Sequence, residues 1–264
     1  MDENENSSKE SAKVVLYYSL PLRKLASTVV SLPLTALVVC FISAVLFQFD
    51  DVHETHCKVY NIVPSISAVT GISPQRYLWR TFIALHLAPR YLIAIVYNAQ
   101  MSSVLSKHKT LVSLSFWLSV IEVSALAGTT YISNLDNFPL HENLFIVFMI
   151  CSLLYMLVML RVYRLAYPSM TSAQTYSFYT KLVLFVTSIL ATIGLVVFWF
   201  KHRRHCLDMA FSWFAICEYV IALSNMAYHM TVALDFPSEH LLIANGFSSS
   251  FLTSNHISQH VKHD

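Results

Sequence analysis

Residues 25–49 form an apolar segment without a single charged side chain, and residues 182–200 form a second one. About 20 apolar residues in a helix are enough to cross the hydrocarbon core of a bilayer. Inside lipid, backbone amides and carbonyls must find their hydrogen-bond partners within the protein, so such segments fold as helices. These two segments therefore predict an all-α, polytopic membrane protein.

The composition argues against several functional classes. Hydrophobic residues make up 56% of the chain and charged residues 12%, which is far from the balance of a soluble domain. The chain has only four glycines and lacks a glycine-rich phosphate loop or a basic run, so we expect neither a nucleotide site nor a nucleic-acid partner. HExxH, GxSxG and CxxC motifs are also missing. We predict no metal site and no other cofactor.

Four further segments are nearly as apolar and complete a six-transmembrane-helix bundle within residues 23–234. They cover residues 77–99, 111–132, 143–163 and 209–231. The first of these is the weakest, because it contains Arg80, His86 and Arg90. Without it the chain would have five spans and a poorer asymmetry of positive charge. We therefore keep this segment as the second span.

The positive charges indicate how the bundle is oriented. Six spans place both termini on one side, and that side carries ten Lys and Arg residues against five on the other. Because positive residues concentrate in cytosolic loops, this predicts cytosolic termini. The polar residues 1–22 and 235–264 are expected to form disordered cytosolic tails. The loops leave no room for a soluble catalytic domain, so any chemistry must take place in the bundle or at its lumenal rim.

Three charged residues are predicted to reach the middle of the membrane. At 1.5 Å of rise per residue, Arg90, Glu122 and Glu218 all come to similar depth on their helices. A buried cation costs roughly 2.5–3.5 kcal/mol on insertion scales, so it tends to be paired. Arg90 can pair with Glu122 or with Glu218. Two roles remain open for this cluster: a structural ion pair that fixes helix register, and a site for a lipid headgroup or phosphate.

Arg80 lies nearer the membrane surface than Arg90. At that depth its guanidinium can meet a lipid phosphate at the lumenal interface, or simply extend towards water. Its neighbours Gln75 and Arg76 precede it at the start of the span. We predict that Arg80, Gln75 and Arg76 contribute to lipid or phosphate binding.

Two histidines are candidates for a general base. His141 opens the fourth span at the lumenal rim, where a lipid headgroup would lie, and is the best candidate. The adjacent Glu142 is a second candidate, although an acid in a first turn also complements the helix dipole. His86 is either a hydrogen-bonded core histidine or a base, since imidazole titrates near neutrality.

Cys57 and Cys206 fall in two different extracytosolic loops. An oxidising lumen allows them to form a disulfide that joins the exit of the first span to the entrance of the sixth. Two unrelated thiols are the alternative.

Five strings of the sequence resemble the post-GPI-attachment-to-proteins factor 2 family, and the resemblance extends over about residues 20–236. They are THCKVYNIVPSISAVTG, PQRYLWR, ALHLAPRYLIA, HENLFIVF and EYVIALSNMAYHMT. The wider group that the chain resembles includes damage-regulated autophagy modulators and the N-terminal half of a yeast cell-wall protein. The resemblance implies a multi-pass protein of the Golgi membrane, or of the endoplasmic reticulum membrane.

The function that this resemblance implies is lipid remodelling of GPI anchors, in which lyso-GPI is reacylated with a saturated fatty acid. The implied partners are GPI-anchored proteins, lyso-GPI and membrane lipids. Two hypotheses follow. The chain is itself the O-acyltransferase, with acyl-CoA or a phospholipid as acyl donor, or it is a non-catalytic factor that binds lyso-GPI or regulates a partner acyltransferase. The family motifs assign no catalytic residue.

Overall fold

The computed structural model describes residues 15–245. Within this range, six helices are long and apolar enough to cross a membrane, which confirms the six-helix fold. The long helices are α1 (Leu22–Phe47), α4 (Gln75–Val104), α5 (Lys109–Tyr131), α6 (Phe138–Ala166), α7 (Ser172–His205) and α8 (Ala210–Met230). Two short helices lie between α1 and α4, namely α2 (Phe49–His53) and α3 (Ile66–Gly71), and a third, α9 (Val232–Asp235), follows α8.

The helices extend beyond the apolar segments, most clearly in α7. Its apolar segment begins at residue 182, but the helix starts at Ser172 because Thr171 and Gln174 form a capping box there. The two side chains satisfy backbone amides that the first turn leaves without partners. Hydropathy therefore locates the part of a helix that lies in lipid, whereas capping residues decide where the helix starts.

The two ends of the bundle can be named by their connections. The disulfide end comprises residues 48–74, 132–137 and 206–209, and the opposite end comprises residues 105–108, 167–171 and 231–237. Helices α4, α6 and α8 start at the disulfide end, and α5 and α7 finish there.

Cys57 and Cys206 form a disulfide at this end, with their Cα atoms 5.4 Å apart and a sequence separation of 149 residues. The first loop is held to α8 by further contacts. The Tyr60 carbonyl accepts a hydrogen bond from the Met209 amide, and the Ser212 hydroxyl accepts from the Ile62 amide. The loop that carries α3 is thereby fixed over the start of α8.

Removing the disulfide is expected to destabilise the bundle. We expect Cys57→Ser/Cys206→Ser to lower the free energy of unfolding by about 2–4 kcal/mol, because the crosslink limits the freedom of the unfolded chain. Thermal unfolding in detergent, with and without reductant, measures the effect. Cys151→Ser is the matched control, since Cys151 is a free cysteine. An unchanged unfolding temperature in the double variant would contradict the role assigned to the disulfide.

Parts of the two tails are ordered, contrary to the expectation of disorder. Strand β1 (Val15–Pro21) pairs antiparallel with β2 (His240–Asn245), with Val15 opposite Asn245 and Pro21 opposite His240. Val15, Tyr17 and Tyr18 in β1 and Ile243 in β2 are residues that favour extended structure. The strands belong to a small compact unit of their own, and residues 23–237 form the helical unit. Residues 1–14 and 246–264 of the predicted tails lie outside the described part of the chain.

Candidate functional site

A cavity enters the helical unit from the disulfide end and reaches the middle of the bundle. Its volume is about 110 Å³, several times what one water molecule needs. The wall on α4 consists of Trp79, Ile83, His86 and Arg90, which share one helical face. Helices α1, α3, α5, α6 and α8 supply the other walls. The cavity therefore joins residues from almost the whole length of the sequence.

His141 lies at the rim of this cavity, in the first turn of α6. Asn137 caps that turn, because its side chain accepts a hydrogen bond from Leu140. The Nδ1 atom of His141 lies 3.1 Å from the Thr129 carbonyl and 2.8 Å from the Ile132 carbonyl. A carbonyl only accepts hydrogen bonds, so Nδ1 carries the proton. In the neutral ring the lone pair of Nε2 is then free to accept a proton.

His86 repeats this arrangement deeper in the cavity. Its Nδ1 donates to the Val29 carbonyl at 2.6 Å. In an unbroken helix that carbonyl would accept from residue 33, but Pro33 has no amide hydrogen. The proline in α1 thus frees the carbonyl that fixes the proton of His86 on Nδ1.

Two buried polar atoms on the cavity wall lack a hydrogen-bond partner among residues 15–245. They are Nε2 of His86 and the hydroxyl oxygen of Thr130. A buried polar group without a partner is costly, so such groups are normally satisfied by water or a ligand. These atoms favour a polar occupant of the cavity. No sequence pattern marks Thr130 as a functional residue, because threonine is common in membrane helices and its hydroxyl often bonds the backbone of its own helix.

Arg80 holds the end of α5 rather than pointing freely into the interface. Its guanidinium donates to the carbonyls of Thr130 at 3.2 Å and Tyr131 at 3.0 Å, and pairs with Asp136 at 2.9 Å. Hydrogen bonds from Ser133, and the nearby Arg80, lower the pKa of Asp136 below its ordinary value. The carboxylate thus stays ionised as the medium becomes mildly acidic, and the pair with Arg80 persists.

Arg80 and His141 together bond four successive carbonyls, from Thr129 to Ile132. A helix leaves its last carbonyls without internal partners, so these two side chains complete the C-terminus of α5. They also fix the backbone that carries the Thr130 hydroxyl. The contact of Arg80 with a lipid phosphate stays a prediction, and the structure shows a positioning role for this residue.

The other predicted lipid-binding residues lie away from the cavity wall. Gln75 is buried, and its side-chain amide donates to the Ser43 hydroxyl at 2.9 Å. Arg76 lies against the ring of Tyr77, at 5.1 Å from the ring centroid, and bonds its hydroxyl. Glu142, the neighbour of His141, is half-buried and is not part of the wall. The cavity therefore brings together His141, His86, Arg90 and Glu218, and leaves out Gln75, Arg76 and Glu142.

The ion pair predicted for Arg90 forms with Glu122. The guanidinium donates to one carboxylate oxygen at 3.1 Å, and the Asn225 amide donates to the other at 2.6 Å. Asn225 also donates to the Ser152 hydroxyl, and His229 lies 3.5 Å from Glu122. Glu122 is 0% exposed, so these partners are what compensates its burial. The network links α4, α5, α6 and α8, and two of its members, Arg90 and Asn225, also line the cavity.

Glu218 has a different partner. One of its carboxylate oxygens accepts a hydrogen bond from the Ile66 amide at 2.8 Å, at the start of α3. The alternative pair between Glu218 and Arg90 does not form. Glu218 instead holds α3 against the mouth of the cavity, which it also lines.

A second buried cluster lies at the opposite end and was not predicted. Lys181 bonds both carboxylate oxygens of Asp235, at 2.9 and 2.6 Å, and the Ser177 hydroxyl at 2.7 Å. The Tyr97 hydroxyl donates to the same carboxylate. Lys181 is one of the ten positive residues counted as loop or tail charges on the side of the termini, and Asp235 is the first residue of the predicted C-terminal tail. Both assignments are wrong, because the two charges neutralise each other inside the bundle. Without Lys181, the side of the termini still carries more Lys and Arg residues than the other side, so the predicted orientation does not change.

Comparison with known proteins identifies the family. Residues 21–239 match the family described as Frag1/DRAM/Sfk1/Cwh43P N-terminal domain. A Drosophila melanogaster protein named post-GPI attachment to proteins factor 2-like is 47% identical over 244 residues, which cover 89% of this chain and 75% of that protein. The chain belongs to the post-GPI-attachment-to-proteins factor 2 family. The family resemblance of the five strings is thus confirmed.

Two other relatives of this family share most of their length with the chain. A Xenopus tropicalis protein named acyltransferase PGAP2 is 35% identical, over 86% of this chain and 92% of that protein. A Caenorhabditis elegans protein named post-GPI attachment to proteins factor 2 is 32% identical, over 87% of this chain and 90% of that protein. No solved structure gives a significant match. The cavity, whose wall runs from Pro33 to Met226, lies entirely within the family region.

Proposed function

We propose that this chain is a membrane-embedded O-acyltransferase that remodels GPI anchors by transferring a saturated acyl chain to lyso-GPI. The observation that carries the proposal is His141, a histidine with its proton fixed on Nδ1 at the rim of a cavity whose wall also carries His86, Thr130 and Glu218. The names of the relatives support the substrate class and the reaction, since they include post-GPI attachment factors and an acyltransferase. We place the reaction in the Golgi or endoplasmic reticulum membrane.

The cavity offers the groups that acyl transfer to a hydroxyl requires. Nε2 of His141 takes the proton of the free glycerol hydroxyl, whose oxygen attacks the acyl carbonyl carbon. The bond between the acyl group and the donor's sulfur or oxygen breaks, and the imidazolium returns the proton to that leaving group. We assign the Thr130 hydroxyl, which has no hydrogen-bond partner among the described residues, as the donor to the carbonyl oxygen on which negative charge develops. His86 supplies a second acceptor deeper in the cavity.

Reconstitution tests the proposal. The full chain is purified, placed in vesicles with lyso-GPI, and supplied with palmitoyl-CoA or stearoyl-CoA in one arm and a saturated phospholipid in the other. Mass spectrometry then measures diacyl-GPI. We expect product in at least one arm. Binding of lyso-GPI without product in either arm would overturn the proposal and favour a non-catalytic factor for a partner acyltransferase.

The orientation of the bundle gives a separate prediction. If the termini are cytosolic, the disulfide end and the mouth of the cavity face the lumen. Leu135 lies exposed at the disulfide end, and Lys107 lies exposed at the opposite end. In sealed microsomes, a membrane-impermeant thiol reagent should label Lys107→Cys at once and Leu135→Cys only after the vesicles are permeabilised. The reverse pattern would contradict the orientation.

A further inference from the structure

A second pocket lies in the first loop at the disulfide end, apart from the cavity. We call it the loop pocket; it is lined by Phe49, Asp50, His53, Glu54 and residues 59–62. Its volume is about 510 Å³, within the range of roughly 300–1,000 Å³ that small-molecule sites occupy. The pocket follows α1, which ends at Phe47, so it lies where the chain leaves the apolar part of the first span. A lipid meets such a pocket with its headgroup.

Contacts within the fold hold the loop pocket in shape. The ring nitrogens of His53 lie 2.6 Å from the Phe49 carbonyl and 2.7 Å from the Ile62 carbonyl, so the ring joins the two segments that line the pocket. The ring also stacks on Phe49, with the centroids 3.8 Å apart. The Tyr60 amide donates to the Asp208 carboxylate at 3.3 Å, which ties the loop to the segment before α8. The pocket is therefore part of the folded bundle.

The side chains of the lining favour a cation. Asp50 and Glu54 are both exposed, and their spacing of four residues places them on the same side of α2. Of the other lining residues only His53 can become positive, so the lining is negative even when that ring is protonated. The rings of Phe49 and Tyr60 are exposed in the same pocket. Aromatic faces attract ammonium groups, and carboxylates pair with them.

Asn61 separately requires a hydrogen-bond donor. It lines the pocket and is 7% exposed. Its side-chain nitrogen donates to the Val59 carbonyl at 2.9 Å, and because a carbonyl only accepts, this contact fixes which atom of the amide is the nitrogen. The side-chain oxygen has no hydrogen-bond partner within the described part of the chain. Such a buried acceptor is normally satisfied by water or a ligand. An ammonium group can donate to it, whereas a phosphate or carboxylate cannot.

We infer that the loop pocket binds a primary ammonium group on the headgroup of the lipid acceptor. The inference rests on the proposed function, which makes that acceptor a lyso-GPI. The non-acetylated glucosamine next to the inositol of a GPI anchor carries such a group. An ammonium group has three donors, and they match the carboxylates of Asp50 and Glu54 and the side-chain oxygen of Asn61.

The loop pocket and the cavity lie within the length of one headgroup. Ile62 lines the pocket, and Ile66 lines the cavity. Four residues of extended chain span at most about 14 Å. The glycerol hydroxyl and the glucosamine nitrogen are joined by about 11 single bonds of ~1.5 Å, which extend over a similar distance. One lyso-GPI can therefore place its hydroxyl in the cavity and its ammonium group in the loop pocket.

Displacement of a bound lipid tests the inference without requiring turnover. The purified full chain is kept in dodecyl maltoside micelles, which carry no amine, and radiolabelled glucosaminyl-lysophosphatidylinositol is the probe. Unlabelled probe and its N-acetylated form are the competitors. We expect the N-acetylated form to bind about tenfold more weakly, because it lacks the ammonium charge. Equal affinities of the two lipids would overturn the inference.

Two variants locate this discrimination in the pocket. Asp50→Asn/Glu54→Gln should reduce the difference between the two lipids to less than about twofold, because the lining loses both negative charges. Asp51→Asn is the matched control, since Asp51 is an exposed acid of the same short helix outside the lining. It should keep the difference of about tenfold. The two affinities are compared within each variant, so a general loss of fold affects both alike. An equal loss of discrimination in Asp51→Asn would contradict the assignment.

Phosphatidylethanolamine distinguishes the acceptor from the surrounding lipid, because its headgroup carries the same ammonium group. We expect it to displace the probe at least about tenfold less well than unlabelled probe does. Equal displacement would assign the pocket to bulk lipid and overturn the inference. If the amine is discriminated but reconstitution gives no product, only the proposed reaction fails. If product forms while the amine and its N-acetylated form bind equally, only the assignment of the loop pocket fails.

Discussion

His141→Asn is expected to lower the rate of acyl transfer by about 10²–10⁴-fold, the usual contribution of a general base. Asparagine keeps an amide N–H close to the position of Nδ1, so it can still donate to the Thr129 and Ile132 carbonyls that His141 bonds. It lacks the Nε2 lone pair. The substitution therefore removes the base while it preserves the contacts that complete α5. Initial rates in vesicles, with thermal unfolding of the same samples, measure the two effects separately.

Two further variants serve as controls for this result. Glu142→Gln alters the neighbouring residue, which lies outside the cavity wall, and should change the rate by less than about threefold. His86→Asn makes the same exchange at the deeper histidine and should have a smaller effect than His141→Asn. A wild-type rate in His141→Asn, or a larger loss in His86→Asn, would contradict the assignment of the base.

Arg90→Met is expected to destabilise the protein by about 3–5 kcal/mol, the cost of leaving a buried charge without its partner. The variant leaves Glu122, which is 0% exposed, with the Asn225 amide and no close guanidinium. Chemical or thermal unfolding in detergent micelles measures the loss. The expected loss of stability is large because it reflects the burial of an unpaired Glu122 carboxylate, and not only the loss of one hydrogen bond.

The double variant Arg90→Met/Glu122→Gln separates a structural role of the pair from a functional one. It removes both charges, and the side-chain carbonyl of the introduced glutamine can still accept from Asn225. We expect it to recover most of the lost stability, since a neutral replacement of a buried ion pair is often well tolerated. If acyl transfer also recovers, the pair only holds the helices. A double variant as unstable as Arg90→Met would contradict this account of the network.

The sequence predicted the helices well because lipid imposes one simple rule on spanning segments. The depth of each residue along its helix also predicted that Arg90 lies at the same level in the membrane as Glu122 and Glu218. It did not choose between Glu122 and Glu218, because that choice depends on how α4, α5 and α8 pack. The same limit applies to the other end of the bundle, where Lys181 and Asp235 look like loop and tail charges until the fold pairs them.

The details of the cavity could not be predicted, because they depend on contacts between distant residues. The proton of His86 is fixed by the Val29 carbonyl, 57 residues away in sequence, and that carbonyl is free only because of Pro33. Thr130 carries no motif at all. By contrast, the position of His141 at the start of a span was enough to propose it as a base. The sequence identifies the titratable candidates, and the fold decides which atoms they present.

Whether the chain itself transfers the acyl group is tested with wild-type protein and His141→Asn, prepared in the same way and placed in the same vesicles with lyso-GPI and an isotopically labelled acyl donor. The variant preparation measures any activity of a co-purifying acyltransferase. We expect labelled diacyl-GPI with the wild type and at most about one-hundredth of that rate with the variant, while both proteins bind lyso-GPI. Equal rates in the two preparations, or no labelled product in either, would contradict it.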